Sequence, residues 1–228
     1  MTRTTNARVA GFTYLLYIAL AFPSMVLLNR ATSAQGMTAK LALIAQHGSD
    51  VRIVIVLTLL TCFTALVLAV TLYRITRDED ADLAMLGLTC RVGEGVLNAI
   101  FLLATLGLLW LATKVGPGAP DVSSANALAA YLLKVGTWQT ISASLLFAMG
   151  STVFAYLLLR GRMVPVALAW LGVLGSALLV VILPLQLAGF ISGLITQLVW
   201  IPVALFELTL APWLLIKGVA EPARRQST

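Results

Sequence analysis

Charge is scarce in this sequence: only 11% of its 228 residues are charged, against about 25% in an ordinary soluble domain. Hydrophobic residues make up 60% of the chain, and mean hydropathy is +0.99. A soluble protein of this size would lack the polar residues to cover its surface. Disorder, a nucleic-acid-binding domain and a normal cytosolic enzyme are thereby excluded. Histidine occurs once, as His47, and cysteine twice, as Cys62 and Cys90, both inside apolar segments. One histidine excludes His-rich metal chemistry and haem-ligating sets. The two cysteines form neither a disulfide framework nor a metal-ligand spacing. Also missing are a Gly-x-Ser-x-Gly elbow, a Gly-rich phosphate loop before a lysine and a His-Glu-x-x-His pair. No cofactor is expected, and no catalytic motif is recognisable.

What the sequence does contain is long apolar runs. A hydrocarbon core about 30 Å thick needs about 20 apolar residues of helix at 1.5 Å per residue. Six segments qualify: residues 9–28, 51–73, 83–112, 137–159, 164–187 and 192–216. None alternates with period two, which excludes a transmembrane barrel. The expected fold is therefore all-α: a polytopic bundle of six transmembrane helices forming one domain over residues 1–228. The first run exceeds the ~7–15 residues of a signal-peptide core, so it reads as a span.

Basic residues in the short loops orient the spans. One side collects nine: Arg3, Arg8, Arg74, Arg77, Arg160, Arg162, Lys217, Arg224 and Arg225. The other has five: Arg30, Lys40, Arg52, Lys114 and Lys134. Both termini are expected to be cytoplasmic. The net charge of +6 is spread singly or in pairs, not in the stripe a nucleic acid needs. Lys217, Arg224 and Arg225 fall short of the ~4–8 clustered residues of a polybasic lipid-binding segment.

The outer connections have structure of their own. Residues 37–46 place Leu41, Ile44 and Ala45 on the apolar side of a short interfacial helix. The turn-rich stretch Gly116-Pro117-Gly118-Ala119-Pro120 gives way to a helical pattern near Ser123 or Ser124. Trp110 and Trp138 at the outer ends, with Trp170 and Trp213 toward the inner ends, fit an aromatic belt. Pro165 opens the fifth span, where its missing N–H costs nothing. Pro23, Pro184, Pro202 and Pro212 lie inside or near the ends of spans, and Pro202 and Pro212 bracket Glu207. The Gly189-x-x-x-Gly193 spacing falls at a span boundary, so a homo-oligomer has no support from it.

Ionisable groups within hydrocarbon are costly and face the protein interior. Three stand out: Arg91 and Glu94 in the third span and Glu207 in the sixth. Arg91, Glu94 and Asn98 share one helical face at i, i+3 and i+7, and Thr105 continues it. Arg91 lies about eight residues from the cytoplasmic start of its span, ~12 Å, and Glu207 about nine from the end of its own, ~14 Å. The three charges thus reach a similar depth. One cation facing two carboxylates leaves an excess negative charge. Either one carboxyl carries a proton or a cationic ligand completes the site. The competing reading is an ion-pair network that locks helices together. Gln139 and Gln197 are secondary polar residues, of the kind that usually hydrogen-bond between helices.

Several stretches carry a family resemblance. They are Ala7-Arg8-Val9-Ala10-Gly11 leading into Tyr14-Leu15-Leu16-Tyr17, and Arg91-Val92-Gly93-Glu94-Gly95. The third is Tyr156-Leu157-Leu158-Leu159-Arg160-Gly161-Arg162-Met163-Val164-Pro165. The last runs from Glu207-Leu208-Thr209-Leu210-Ala211-Pro212-Trp213 through Leu214-Leu215-Ile216-Lys217-Gly218. In order and extent they resemble a bacterial family of integral membrane proteins catalogued as domain of unknown function four-three-eight-six. Cys90 and Gly95 stand where the family pattern carries an aromatic and an alanine. The resemblance implies a multi-pass protein of the bacterial cytoplasmic (inner) membrane, with the lipid bilayer as its partner and no established chemistry. Three functional readings follow from the residues. The first is binding of a small molecule, lipid or proton at Arg91, Glu94, Asn98 and Glu207 between spans three and six. The first alternative is a non-enzymatic assembly or sensory partner in which the cluster is structural. The second is a lipid-modifying membrane enzyme.

Overall fold

The computed structural model describes residues 2–114 and 116–220. Among them the fold is all-α, in the order α1 (Arg3–Thr32), α2 (Met37–Gln46), α3 (Gly48–Thr76), α4 (Ala81–Thr113), α5 (Val122–Arg160), α6 (Val166–Leu187), α7 (Ile195–Leu198) and α8 (Ile201–Ile216). Six segments are long and apolar enough to cross a membrane: α1, α3, α4, α5, α6 and the stretch Ile195–Ile216. α1, α3, α4 and α5 each contain an expected span, while α6 and Ile195–Ile216 begin two and three residues inside theirs. Only 22% to 50% of each apolar window is buried within the protein. Phe22, Phe63, Leu103, Leu174 and Val181 are among the large apolar side chains left exposed. Water would not tolerate that surface; lipid covers it without cost. The chain is a polytopic membrane protein. Arg224 and Arg225 lie outside the described residues.

Local chemistry explains the boundaries that differ from the sequence expectation. The fourth span is the inner part of a 39-residue helix. Asp121 caps it: Ser124 N donates to Asp121 Oδ1 at 3.0 Å, and Ser124 Oγ to Asp121 Oδ2 at 2.6 Å. Beyond Pro120 no further proline interrupts that helix. The sixth span, by contrast, is broken. α7 has four residues, and α8 starts afresh with Pro202 in its first turn. Pro202 therefore opens a helix, where its absent N–H is harmless, instead of interrupting one. Gly189 (φ 84°) and Gly193 (φ 79°) are left-handed turn residues, so their spacing marks a loop and not a helix face.

The chain divides into two compact units. The first comprises Met1–Leu16, Thr64–Gly95 and Ile141–Thr228; the second comprises Tyr17–Phe63 and Val96–Thr140. In the first, Tyr14 and Ala10 of α1, Leu68 and Leu72 of α3, Phe154 of α5 and Leu210 of α8 share one core. Glycines let its helices close up, as small residues do where lipid supplies no hydrophobic drive. A Cβ on Gly11 would fall 2.5 Å from Leu215 N and 2.6 Å from Ala211 O. One on Gly172 would strike the Phe206 ring at 2.5 Å. In the second unit, α2 places Leu41 and Ile44 in a cluster with Val51, Leu108, Ala125 and Ala129. Lys40 Nζ donates to Thr32 O at 2.6 Å and Asn126 Nδ2 to Thr38 Oγ1 at 2.8 Å, fixing α2 in that unit.

In the first unit Asp80 caps α4 and ties it to α5. Leu83 N donates to Asp80 Oδ1 at 3.1 Å and Arg160 Nη1 to Asp80 Oδ2 at 3.1 Å. The Leu83 N–H, and after it Arg160, hold the Asp80 carboxyl below the usual carboxylate range. A carboxyl lowered on folding adds stability that is complete at neutral pH and is lost as pH falls below about 4. Asp80→Asn is expected to flatten the acid side of the stability profile, measured by thermal unfolding in detergent between pH 3 and 7. Gly11→Ala forces α1 off the α8 backbone and is expected to cost about 1–3 kcal/mol. The same unfolding assay reads it.

Candidate functional site: a buried Arg–Glu cluster

Arg91 and Glu94 stand one helical turn apart on α4, the spacing at which side chains on one face meet. Arg91 Nη1 lies 3.0 Å from Glu94 Oε2. The residues are 1% and 2% exposed, so water contributes almost nothing to holding this charge pair. Arg91 is among the largest fully buried side chains of the protein. Such burial is costly unless geometry and partners are good.

Packing from α5 supplies that geometry. The Arg91 stem runs against Gly150, where a Cβ would fall 2.9 Å from Arg91 Cγ and 3.1 Å from Cδ. The guanidinium carbon sits 4.7 Å from the centre of the Phe147 ring, a cation–π contact that gains strength where water is absent. Gly93 and Gly87 on α4 face Leu146 and Phe154 of α5 at similarly close range. Arg91 is thus a packed cation, immobilised along its length.

Glu207 of α8 belongs to the same unit and is 8% exposed. It lies within electrostatic reach of both Arg91 and Glu94. Its Oε1 is buried and accepts no hydrogen bond among the described residues. Tyr14 of α1, 3% exposed, also lies within reach of all three charges. The structure therefore brings Arg91, Glu94 and Glu207 into one interior.

The other sequence-derived residues are distributed differently. Asn98 is half-buried on the part of α4 that belongs to the second unit, and Thr105 is buried there. Gln139 is in that unit too, where its Nε2 donates to Leu97 O at 2.8 Å. That is an amide serving as a tie between α4 and α5. Gln197 is exposed on α7 in the first unit. Tyr14, Phe147 and Gly150 were not singled out as site residues from the sequence. A tyrosine, a phenylalanine and a glycine are unremarked in apolar helices, and only the α1–α4–α5 packing shows their role.

Among the described residues no group of three or more His, Cys, Asp or Glu is placed to hold a metal ion. Two hollows of the first unit are lined by Asn6, Thr71 and Arg74, and by Arg162, Trp213 and Lys217. Neither reaches Arg91, Glu94 or Glu207. Removing Arg91 would leave Glu94 buried without its cation. Arg91→Met is expected to lose about 3–5 kcal/mol of stability, read as a lowered unfolding temperature and reduced yield from membranes.

Comparison with known proteins gives one match. The sequence model of the family described as "Domain of unknown function (DUF4386)" matches residues 9–218. No curated protein and no solved structure matches.

Proposed function

Because the chain belongs to the DUF4386 family of multi-pass membrane proteins, we propose that it is a non-enzymatic membrane component, an assembly or sensory partner, whose Arg–Glu cluster is structural. The observation that carries this reading is the state of Arg91. Its charge is met by Glu94 at 3.0 Å, its stem by Gly150 and its guanidinium by Phe147. A residue that recognises an incoming ligand needs access; this one is closed on every described side. A buried ion pair also sets which helix faces can meet, since any other arrangement strands a charge in hydrocarbon.

The orphaned Glu207 Oε1 favours a second reading. Here the same cluster binds a proton, a small molecule or a lipid, with Arg91 as fixed cation and Glu94 and Glu207 as its carboxylates. Asn98 would orient the ligand, and Gln139 and Gln197 would add polar lining. Glu207→Gln separates the two. The structural reading expects a changed unfolding temperature with partner co-purification altered only in proportion to stability. The ligand reading expects a wild-type unfolding temperature with loss of binding or transport.

The bacterial cytoplasmic membrane is the setting that the family resemblance implies, and both termini inside is the orientation that the loop charges support. Single cysteines test this in a background with Cys62 and Cys90 replaced. Gln35→Cys is expected to react with a membrane-impermeant maleimide in intact cells, and Asp78→Cys only after lysis.

A further inference from the structure

Three segments that are remote in sequence meet at one end of the first unit. They are the start of α1, the turn between α5 and α6, and the end of α8. Ala220 N donates to Met163 O at 3.0 Å, clasping the chain after α8 to the turn. The turn and the end of α8 border a hollow of about 430 Å³. Arg162, Lys217 and Trp213 line it, together with Met163, Pro165 and Val219. Arg3 stands behind Met163, its Nη2 3.1 Å from Met163 Sδ. The Nε and Nη1 of Arg3 are buried and donate to no described residue. No described carboxylate pairs with Arg3, Arg162 or Lys217. Elsewhere on this side Arg77 and Arg160 have acids beside them, Asp78 and Asp80.

The backbone adds an independent observation. α5 and α6 end in the same hydrogen-bonded motif. Met163 N bonds Leu158 O and Arg162 N bonds Leu159 O; Phe190 N bonds Leu185 O and Gly189 N bonds Gln186 O. The motif requires a left-handed residue, which is usually glycine. α6 uses Gly189 at φ 84°, whereas α5 uses Arg162 at φ 49°. Arg162 is the one non-glycine residue with positive φ among those described. A side chain there is strained, and strain kept at a lined hollow points to use.

We propose that this hollow binds the phosphate headgroup of an anionic phospholipid from the adjoining leaflet, held by Arg162 and Lys217, with Arg3 adding positive charge from behind Met163. Basic pockets between transmembrane helices recognise such headgroups. Arg162 offers the planar donor fork that matches phosphate oxygens. Trp213, at the end of α8, sits where an indole meets the glycerol and carbonyl level of a bilayer. Val219, Met163 and Pro165 give the hollow an apolar wall, which a free anion would not need and a lipid would.

The test uses the full chain in neutral detergent, titrated with phosphatidylglycerol, phosphatidylcholine or inorganic phosphate, with bound lipid counted by native mass spectrometry. Wild type is expected to retain phosphatidylglycerol at least about tenfold more tightly than phosphatidylcholine. The variant Arg162→Gly with Lys217→Gln is expected to lose that preference. Because glycine suits the left-handed position, Arg162→Gly alone should leave the unfolding temperature equal or higher without lipid, so loss of binding cannot be loss of fold. Lys114→Gln with Lys134→Gln removes the same charge elsewhere and should keep the preference. The proposal is overturned if this control loses the preference equally, if Arg162→Gly with Lys217→Gln keeps it, or if inorganic phosphate at equal concentration displaces the lipid.

Discussion

A guanidinium at 1% exposure inside an apolar helix imposes the strictest condition on this protein. No water is present to hold the charge, so every face of Arg91 must be met by the protein. Glu94 meets the head from the same helix. Phe147 meets its plane, and the stem needs a neighbour without a Cβ, which Gly150 provides. These contacts bring α4 and α5 to a distance that Gly87 and Gly93 then exploit along the same seam. Once α4 and α5 are placed, Glu207 of α8 and Tyr14 of α1 fall within range of the pair. The charge is therefore a constraint on packing before it is anything else.

The opposite condition governs the exterior. Much of each apolar window is left for lipid, and the charges that do face outward gather at helix ends. There they have two fates. Asp80 and Arg160 satisfy one another while capping α4. Arg162 and Lys217 border a hollow without a described carboxylate. The interior cation Arg91 is thus matched by the protein, while Arg162 and Lys217 have no described carboxylate paired with them.

Much of this architecture could be read along the chain because its causes are local. Transfer of an apolar run into hydrocarbon is a sum over consecutive residues, so all six spans emerged from composition. α2 was legible as residues 37–46 because its apolar positions repeat at helical spacing, and Pro165 announced the start of α6 at Val166. Arg91, Glu94 and Glu207 were legible for the same reason: a charge within an apolar run is conspicuous wherever it folds. The helix boundaries that differ from the sequence expectation have equally local causes. Pro202 opens a helix as readily as it bends one, and a helix past Asp121 runs on until something stops it.

Composition and spacing thus determined by themselves that this is a six-span helical membrane protein with three charges in its interior. Only the tertiary structure decided what those charges touch. It also decided that Asn98 and Gln139 belong to another unit than Arg91, and that Arg162 and Lys217 border one hollow. The physical reason is range. Helix formation and membrane insertion depend on neighbours in sequence, whereas the Arg3–Met163 contact joins residues 160 positions apart. Contacts of that kind arise from the packing of whole helices, which no single segment encodes.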